Sequence, residues 1–581
     1  MENRIHSING PVVKVKNSNQ FLMLEKVFVG PNKLMGEVIS ISHEETVIQV
    51  YETTTGLKMG DLVYPTGNLV SVTLGPGLMS NIFDGVQRPL LKMEEQTGSF
   101  IEAGSEVSAL DLDKKWDVKF QVKQGEYLKA GSIFAITQET KSIAHKMMIP
   151  PNTKGKVKSV KPDGLYTVNE VVLELETENG IKALTLKQEW PIKKQRPIKE
   201  QLTLDIPLIT GQRVIDALFP IAKGGTAAIP GGFGTGKTML QHQFAKWSDA
   251  DIIVYIGCGE RGNEMTQVLE EFRALIDPRT KQSLMDRTIL IANTSNMPVA
   301  AREASIYTGL TIAEYYRDMG YHVAIMADST SRWAEALREI SGRLEEMPAE
   351  EGFPAYLPSR ISQFYERAGY VENLNHTNGS VTIIGAVSPQ GSDFSEPVTQ
   401  NTKRFVRCFW ALDKALAYQR HYAAINWNQS YSEYFYDLLS WFDNQVDPKF
   451  MKYSKQIKAI LSEETALMEV VKLIGSDVLP DDQRLIIEIG KVIRFGFLQQ
   501  NAFDDEDTYV PLQKQLKMME VILHLHEAAF KFINKGRALS LIIGSGIFDE
   551  VIQMKYTIKN SELEKFEDLK EKITQTIESI F

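Results

Sequence analysis

The stretch that decides the fold is glycine-rich: Gly231-Gly232-Phe233-Gly234-Thr235-Gly236-Lys237-Thr238. It fits G-x-x-x-x-G-K-[ST] at every fixed position, the pattern of a phosphate-binding loop. The glycines let successive backbone N–H groups turn toward a triphosphate, and Lys237 can reach the terminal phosphates. The Thr238 hydroxyl is placed to bind Mg²⁺. The run therefore predicts a site for a nucleoside triphosphate.

The flanking residues predict a strand, the loop and then a helix. The segment 226–230 is short and mostly apolar, which is typical of a buried strand. After the loop, Leu240, Phe244 and Trp247 recur at the spacing of one helical face. The helix N-terminus would add its partial positive charge to an anion site. The alternative is a glycine-rich turn without a ligand, which these flanks disfavour.

The length and composition indicate a soluble protein of several domains. The chain has 581 residues, of which 43% are hydrophobic and 24% charged, and this length suggests about three to four domains. The apolar stretch at 538–548 is too short for a membrane-spanning helix. The first residues lack the apolar segment of a secretion signal, and two cysteines provide no disulfide framework. We therefore expect a cytoplasmic location.

The hydrophobic patterns change along the chain and predict an α/β fold class with four parts. Residues 1–70 alternate apolar and polar residues between glycine turns, which predicts a β-barrel. Residues 111–189 repeat this texture and predict an inserted β-rich domain. Residues 71–110 and 190–435 predict the P-loop α/β core, because continuous apolar runs alternate there with helical segments. Residues 436–581 predict a helical bundle.

Two acidic residues follow predicted strands of the core. Hydrolysis of a nucleoside triphosphate needs an oriented water and neutralised phosphoryl charge. Glu260 stands just after the apolar run 252–256, where it could orient or deprotonate the water, although an isolated glutamate is usually a solvated loop residue. Asp328 ends the run 321–327, where P-loop proteins place an acidic partner of Mg²⁺. Its alternative role is a helix N-cap.

The site for the base is left open by the residue pattern. Phe497, Phe503 and Tyr509 stand among polar residues in the helical part, and one of them could stack on an adenine. Packing in the core is the alternative for each aromatic side chain.

Three further motifs resemble those of a known family. They are Gly257-Cys258-Gly259-Glu260-Arg261-Gly262-Asn263-Glu264, the run from Met326 to Glu335, and the run from Glu345 to Arg360. With Gln499-Gln500-Asn501-Ala502-Phe503, they are similar to the catalytic A subunit, or alpha chain, of prokaryotic V-type and A-type rotary ATPases. The resemblance extends over essentially the whole chain. Thr235 is a departure, because many eukaryotic members have a redox-sensitive cysteine there.

The resemblance implies an enzyme that hydrolyses or synthesises ATP and is coupled to H⁺ or Na⁺ transport. It implies an A3B3 ring of alternating A and B subunits, central and peripheral stalks, and an ion-transporting sector that alone enters the membrane. Residues 231–238 would hold phosphate, Thr238 and, through water, Asp328 would hold Mg²⁺, and Glu260 would be the catalytic carboxylate. Arg261 would contact the phosphate region, and Phe503 would help to enclose adenine.

Two other classes of protein are weaker interpretations of the same residues. A hexameric RecA-like nucleic-acid translocase also joins a β-barrel to a P-loop core. The net charge of −10 and the absence of a clear basic–aromatic cluster disfavour it, so we expect no nucleic-acid partner. A nucleotide-binding subunit that never turns over is disfavoured by Glu260 and the intact Lys237-Thr238 pair.

Overall fold

The computed structural model describes residues 3–16, 20–98, 103–105, 107–475 and 478–580. The chain forms two compact units. The first comprises Met1–Thr203, Gly224–Thr226 and Ala250–Val406, and the second comprises Leu204–Lys223, Ala227–Asp249 and Arg407–Phe581.

The first unit begins with a closed β-barrel. Its antiparallel strands are Ile5–Asn9, Val12–Lys16, Glu25–Val29, Leu34–Ile41, Glu45–Val50 and Val63–Leu69. Closure comes from hydrogen bonds between the chain start and the last strand region: the Ile5 N–H donates to the Asp61 carbonyl at 2.9 Å, and the Val63 N–H donates to the Asn3 carbonyl at 2.8 Å. Alternate valines point inward and are fully buried, which explains the alternating sequence pattern.

Residues 116–184 form two four-stranded antiparallel sheets. One contains Tyr127–Leu128, Gly155–Val160, Leu173–Thr177 and Gly180–Leu184; the other contains Ala144–Met148, Ile133–Gln138, Trp116–Phe120 and Gly164–Tyr166. The two chain ends of this module meet at Gly75. A Cβ atom added to Gly75 would lie 2.9 Å from the Leu110 side chain and 3.2 Å from the Leu186 carbonyl oxygen. Beside this point, strands Ser71–Leu74 and Gln188–Pro191 pair antiparallel.

A mainly parallel sheet completes the first unit. Its strands run in the order Asn378–Val387, His322–Asp328, Ile252–Cys258, Thr288–Asn293 and Ile82–Phe83. Gly369–Glu372 pairs antiparallel with the first of these strands and also with Glu200–Gln201. These strands are the continuous apolar runs of the sequence, because both faces of the sheet are covered.

The helices of the first unit include one that is nearly surrounded by protein. This helix, Val299–Asp318, has 18 buried residues among its 20, and Pro298 precedes it as the N-cap. The other helices are Leu90–Thr97, Gly262–Ala274, Thr330–Arg343, Leu357–Tyr365 and Pro397–Phe405, with short 3₁₀ turns at Leu284–Arg287, Glu350–Gly352 and Gln390–Ser392. Buried charges on the long helix are paired: Arg367 donates to Glu314 at 2.7 Å, as burial of a charge requires.

The second unit carries the glycine-rich loop and the C-terminal helices. Strand Thr226–Pro230 pairs parallel with Cys408–Phe409, which pairs antiparallel with Tyr431–Ser432. The helices are Lys237–Trp247, Lys414–Tyr418, Leu439–Gln445, Lys449–Ile474, Asp481–Val492, Leu512–Asn534, Leu539–Gly544, Ile547–Thr557 and Lys565–Ser579, with π-helical turns at Val214–Leu218 and Ile493–Leu498 and a 3₁₀ turn at Glu433–Phe435. Within the described residues, no helix has the length and apolar character needed to cross a lipid bilayer.

The predicted fold class is thus confirmed. The structure contains the N-terminal barrel, the β-rich insertion, the α/β core and the C-terminal helices. Cys258 and Cys408 are both buried and unbridged, as small core residues, and burial raises the pKa of each thiol to about 12.

Candidate functional site

The glycine-rich loop joins the strand Thr226–Pro230 to the helix Lys237–Trp247. The Lys237 ammonium donates to the carbonyl oxygens of Gly231 at 2.7 Å and Gly232 at 2.9 Å, so it lies across the loop. The Thr235 hydroxyl donates to the Gly232 carbonyl at 2.8 Å and fixes the turn from inside. Phe233 stands 85% exposed at the loop surface. This is the strand–loop–helix arrangement that the sequence predicts.

Two glycines of the loop are required by the backbone. Gly234 has φ +75° and Gly236 has φ +91°, conformations that side chains with a Cβ rarely adopt. Gly236 is the N-cap of the helix, so the N–H groups of the first helical turn begin at Lys237. These groups and the helix dipole provide a binding surface for an anion. The loop geometry is therefore suited to phosphate.

A cavity of about 160 Å³ lies beside the loop. Gly234, Thr235 and Gly236 form one side. The rest is lined by Leu240, Leu412, Ala417, Arg420, His421, Tyr422, Ala423 and Ala424. Burial lowers the pKa of His421 to about 4, so this ring is neutral at physiological pH. The wall is thus mostly apolar and lies within the same unit as the phosphate-binding loop.

The three candidate aromatic residues have three different environments. Phe497 is fully buried, whereas Tyr509 stacks on Trp247 with ring centroids 5.1 Å apart. Phe503 is 88% exposed at the tip of a loop. Among the three, Phe503 alone has an exposed ring.

Asp328 is the last residue of one strand of the first unit, and Glu260 follows the parallel strand beside it. Gly257 pairs in register with Asp328, and Glu260 comes three residues after Gly257. Asp328 is 4% exposed and accepts a hydrogen bond from the Tyr255 hydroxyl at 3.1 Å. Ser329, rather than Asp328, is the N-cap of the following helix. The N-cap alternative for Asp328 is therefore not what the structure contains.

The environment of Glu260 favours its protonated form. Burial, the charge of Asp328, and a hydrogen bond and charge from Glu264 raise the pKa of Glu260 to about 8, while Arg332 opposes the shift. A general base is most effective when its pKa lies near the working pH. A pKa of about 8 places proton exchange by Glu260 within about one pH unit of neutrality. Arg261 is exposed and is the N-cap of the helix Gly262–Ala274.

Comparisons with known proteins identify the family of this chain. Four family models match: "ATP synthase alpha/beta family, beta-barrel domain" at 5–67, "ATPsynthase alpha/beta subunit barrel-sandwich domain" at 107–193, "ATP synthase alpha/beta family, nucleotide-binding domain" at 211–432, and "C-terminal domain of V and A type ATP synthase" at 439–543.

Curated relatives match over nearly the whole chain. The V-type ATP synthase alpha chain 2 of Clostridium tetani is 58% identical over 99% of this chain and 97% of its own length. The corresponding A chain of the A-type ATP synthase of Methanopyrus kandleri is 53% identical over 100% of this chain and 98% of its own length. This chain belongs to the alpha, or A, subunits of V-type and A-type ATP synthases.

A solved structure shares the fold of this chain. The ATPase EscN of the enteropathogenic E. coli type III secretion system has a TM-score of 0.65 and 21% sequence identity, covering 90% of this chain and 100% of that chain. At this identity the likeness concerns the fold alone.

The acidic residues of this V/A-type subunit fit a magnesium ion that is held mainly by other ligands. Asp328 offers a buried carboxylate, and its charge raises the pKa of Glu260, so a nearby cation would relieve repulsion. No group of three or more histidine, cysteine, aspartate or glutamate residues suited to a metal occurs among the described residues. Mg²⁺ commonly uses one or two protein ligands together with phosphate and water, and Asp328 is a side chain of the kind it requires.

Some residues around the site are not apparent from the sequence. Tyr255 is the hydrogen-bond donor to Asp328, and Glu264 shares a hydrogen bond with Glu260. Glu264 lies in the first turn of the helix that follows Glu260, and the spacing does not identify it, because Glu260 itself precedes that helix. Tyr255 gives no signal either, because it lies inside an apolar strand.

Proposed function

We propose that this chain is the subunit that hydrolyses or synthesises ATP in a rotary V-type or A-type ATP synthase, coupled to H⁺ or Na⁺ transport by a separate membrane sector. The observation that carries the proposal is the 58% identity to a V-type alpha chain over 99% of the chain. The intact phosphate-binding loop and the raised pKa of Glu260 support an active enzyme.

Each proposed site residue has a distinct role. The N–H groups of residues 231–238 and the Lys237 ammonium bind the phosphates. Thr238 and Asp328 hold Mg²⁺, Asp328 through water, and the bound ion would neutralise charge on the transferred phosphoryl group. Glu260 orients the attacking water and accepts its proton. Arg261 contacts the phosphates, and Phe503 stacks on the adenine.

The assembly that we propose is an A3B3 ring with central and peripheral stalks, peripheral to the membrane. Its domains follow residues 1–70, 71–110 with 190–435, 111–189 and 436–581. Ring ATPases commonly complete the site with an arginine from a neighbouring subunit, worth roughly 10³- to 10⁵-fold in rate. We assign that arginine to the B subunit, as membership of the V/A-type family implies, and we therefore expect this chain to need its partner for turnover.

The test is to titrate purified B subunit into this purified chain while phosphate release from Mg-ATP is measured. The rate should rise steeply with B, whereas the chain without B should bind Mg-ATP and turn over very slowly. A matched titration with Lys237→Ala in this chain should remain inactive. Full activity of the monomeric chain, with no response to B, would contradict the proposal.

The second candidate class, a nucleic-acid translocase, has no observation in its favour beyond the barrel joined to a P-loop core. The net charge of −10 opposes binding to a polyanion. Stimulation of ATP hydrolysis by RNA, rather than by the B subunit, would support it.

A further inference from the structure

Buried charged residues hold the backbone of the loop that bears Phe503. Phe503 itself is 88% exposed, so packing of its ring does not determine where it lies. Gln500 and Asp507, on either side of it, are instead 2% and 0% exposed. The position of the ring is therefore set by the contacts of the residues that flank it.

Arg213 is the central contact of this loop. Its side chain is fully buried and donates from Nε to the Phe497 carbonyl at 2.5 Å and from Nη2 to the Gln499 carbonyl at 2.8 Å. Its Nη1 pairs with the Asp507 carboxylate. Its backbone N–H also donates to the Gln500 side-chain oxygen at 2.9 Å. One residue thus binds both the start and the end of the loop.

Asp507 and Lys555 make the other contacts that hold this loop. The second oxygen of the Asp507 carboxylate accepts from the Asn501 N–H at 2.6 Å, and the Asn501 side chain accepts from the Phe503 N–H at 3.0 Å. Lys555, on the helix Ile547–Thr557, donates to the carbonyls of Phe495 at 2.7 Å and Gln499 at 3.1 Å. The chain of hydrogen bonds therefore extends from the C-terminal helices to the backbone of Phe503.

The same loop is also joined to the wall of the cavity beside the phosphate-binding loop. The Gln500 N–H donates to the Tyr422 carbonyl at 2.7 Å, and Tyr422 lines that cavity. The Thr508 hydroxyl donates to Gln243 at 3.2 Å, on the helix that begins at Lys237. Hydrogen bonds therefore fix the loop to the wall of the cavity and to the helix that would bind phosphate.

We propose that Arg213, Asp507 and Lys555 are positioning residues that hold Phe503 against the nucleotide base. This inference rests on the proposed function, in which Phe503 stacks on adenine. Their side chains are at most 2% exposed, so they act without contacting a nucleotide. They act by fixing the backbone of residues 499–507, so their loss should weaken recognition of the base and leave recognition of the phosphates intact.

The test compares binding of Mg-ADP with binding of Mg-pyrophosphate, which has no base, by calorimetry on the full-length chain. The main variant is the double substitution Arg213→Met with Asp507→Leu. Replacing both members of a buried ion pair by apolar residues is often neutral for stability, whereas removing one member is strongly destabilising. Lys555→Met is a second variant, which leaves the ion pair in place.

A buried pair elsewhere in the chain provides the matched control. Arg287 donates to Asp277 at 2.7 Å, with side chains 2% and 0% exposed. The double substitution Arg287→Met with Asp277→Leu should leave both affinities unchanged. The Arg213/Asp507 variant should lose about 5- to 150-fold in Mg-ADP affinity, the range for loss of base stacking. Its Mg-pyrophosphate affinity should not change, and Lys555→Met should lose affinity in the same selective way.

Three outcomes would contradict the inference, and they differ in meaning. Unchanged Mg-ADP affinity in the double and Lys555 variants, with weaker binding in Phe503→Ala, would overturn the positioning role alone. Equal losses for Mg-ADP and Mg-pyrophosphate would show that the residues support the whole site rather than the base. Unchanged Mg-ADP affinity in Phe503→Ala would instead overturn the proposed base role of Phe503, and the inference with it.

Discussion

Substitution of Gly259 by alanine should displace the loop that carries Glu260. Gly259 has φ +76°, and a Cβ at this position would lie 2.7 Å from the Cβ of Arg332 and 3.1 Å from Cδ of Arg302. The first neighbour is near its own backbone and cannot turn away as the end of a flexible chain could. Ordinary contact begins at 3.4 Å, so the two backbones must separate by about 0.7 Å or more.

That displacement has a cost in both conformation and rate. A left-handed backbone at a residue with a Cβ costs about 1–2 kcal/mol, and the contact adds about 1–3 kcal/mol if the loop does not relax. Misplacement of a catalytic group by 1 Å can reduce the rate about 10²-fold. We therefore expect Gly259→Ala to lower kcat of the assembled complex by roughly 10- to 100-fold. Binding of Mg-ADP to the phosphate-binding loop should persist.

The assay is phosphate release at saturating Mg-ATP, with Mg-ADP binding measured on the same preparation. Gly262→Ala is the matched control, because it lies three residues away, has no positive φ and has open space around a new Cβ. This control should retain the wild-type rate. Wild-type turnover in Gly259→Ala would refute the reasoning, since it would show that the rate does not depend on the exact position of Glu260.

The remaining predictions concern single roles within the site. Lys237→Ala should abolish turnover in the assembled complex, because the phosphates lose their mobile cation; near-normal phosphate release would contradict this role. Glu260→Gln should retain Mg-ATP binding while hydrolysis falls at least roughly 10²-fold, because the amide cannot accept the proton; parallel loss of binding and turnover would make it a binding residue. Asp328→Asn should raise the Mg²⁺ concentration needed for half-maximal hydrolysis about 10- to 100-fold, the usual effect of an outer-shell carboxylate; an unchanged Mg²⁺ titration would exclude that role.

The core strands can be predicted from the sequence because local pattern and burial coincide there. The apolar run 252–256 is part of the strand Ile252–Cys258, and 322–327 is part of His322–Asp328. The phosphate-binding loop can also be predicted from the sequence, since its glycines, lysine and threonine lie in one short stretch. Local sequence also indicates that Glu260 and Asp328 follow strands. Their electrostatic coupling depends on the parallel order of those strands, which no local pattern reveals.

The residues that hold the base loop cannot be predicted in this way, because they are distant in sequence. Arg213 and Asp507 are 294 positions apart, and each resembles an ordinary surface charge. Phe497, Phe503 and Tyr509 likewise have similar polar neighbours in the sequence, whereas burial separates them completely in the structure. Phe503 is singled out among them by the resemblance to a family and not by the pattern of residues.

The convergence of Leu110 and Leu186 on Gly75 has a consequence for how chains of this kind change in length. Because the entry and exit of the inserted sheets lie side by side, the module closes on itself whatever its size. The entropy of closing a loop grows only with the logarithm of its length, so lengthening or trimming the module hardly affects the free energy of the core. This junction is therefore a natural place for a protein lineage to gain or lose a domain, and for an experimenter to graft one.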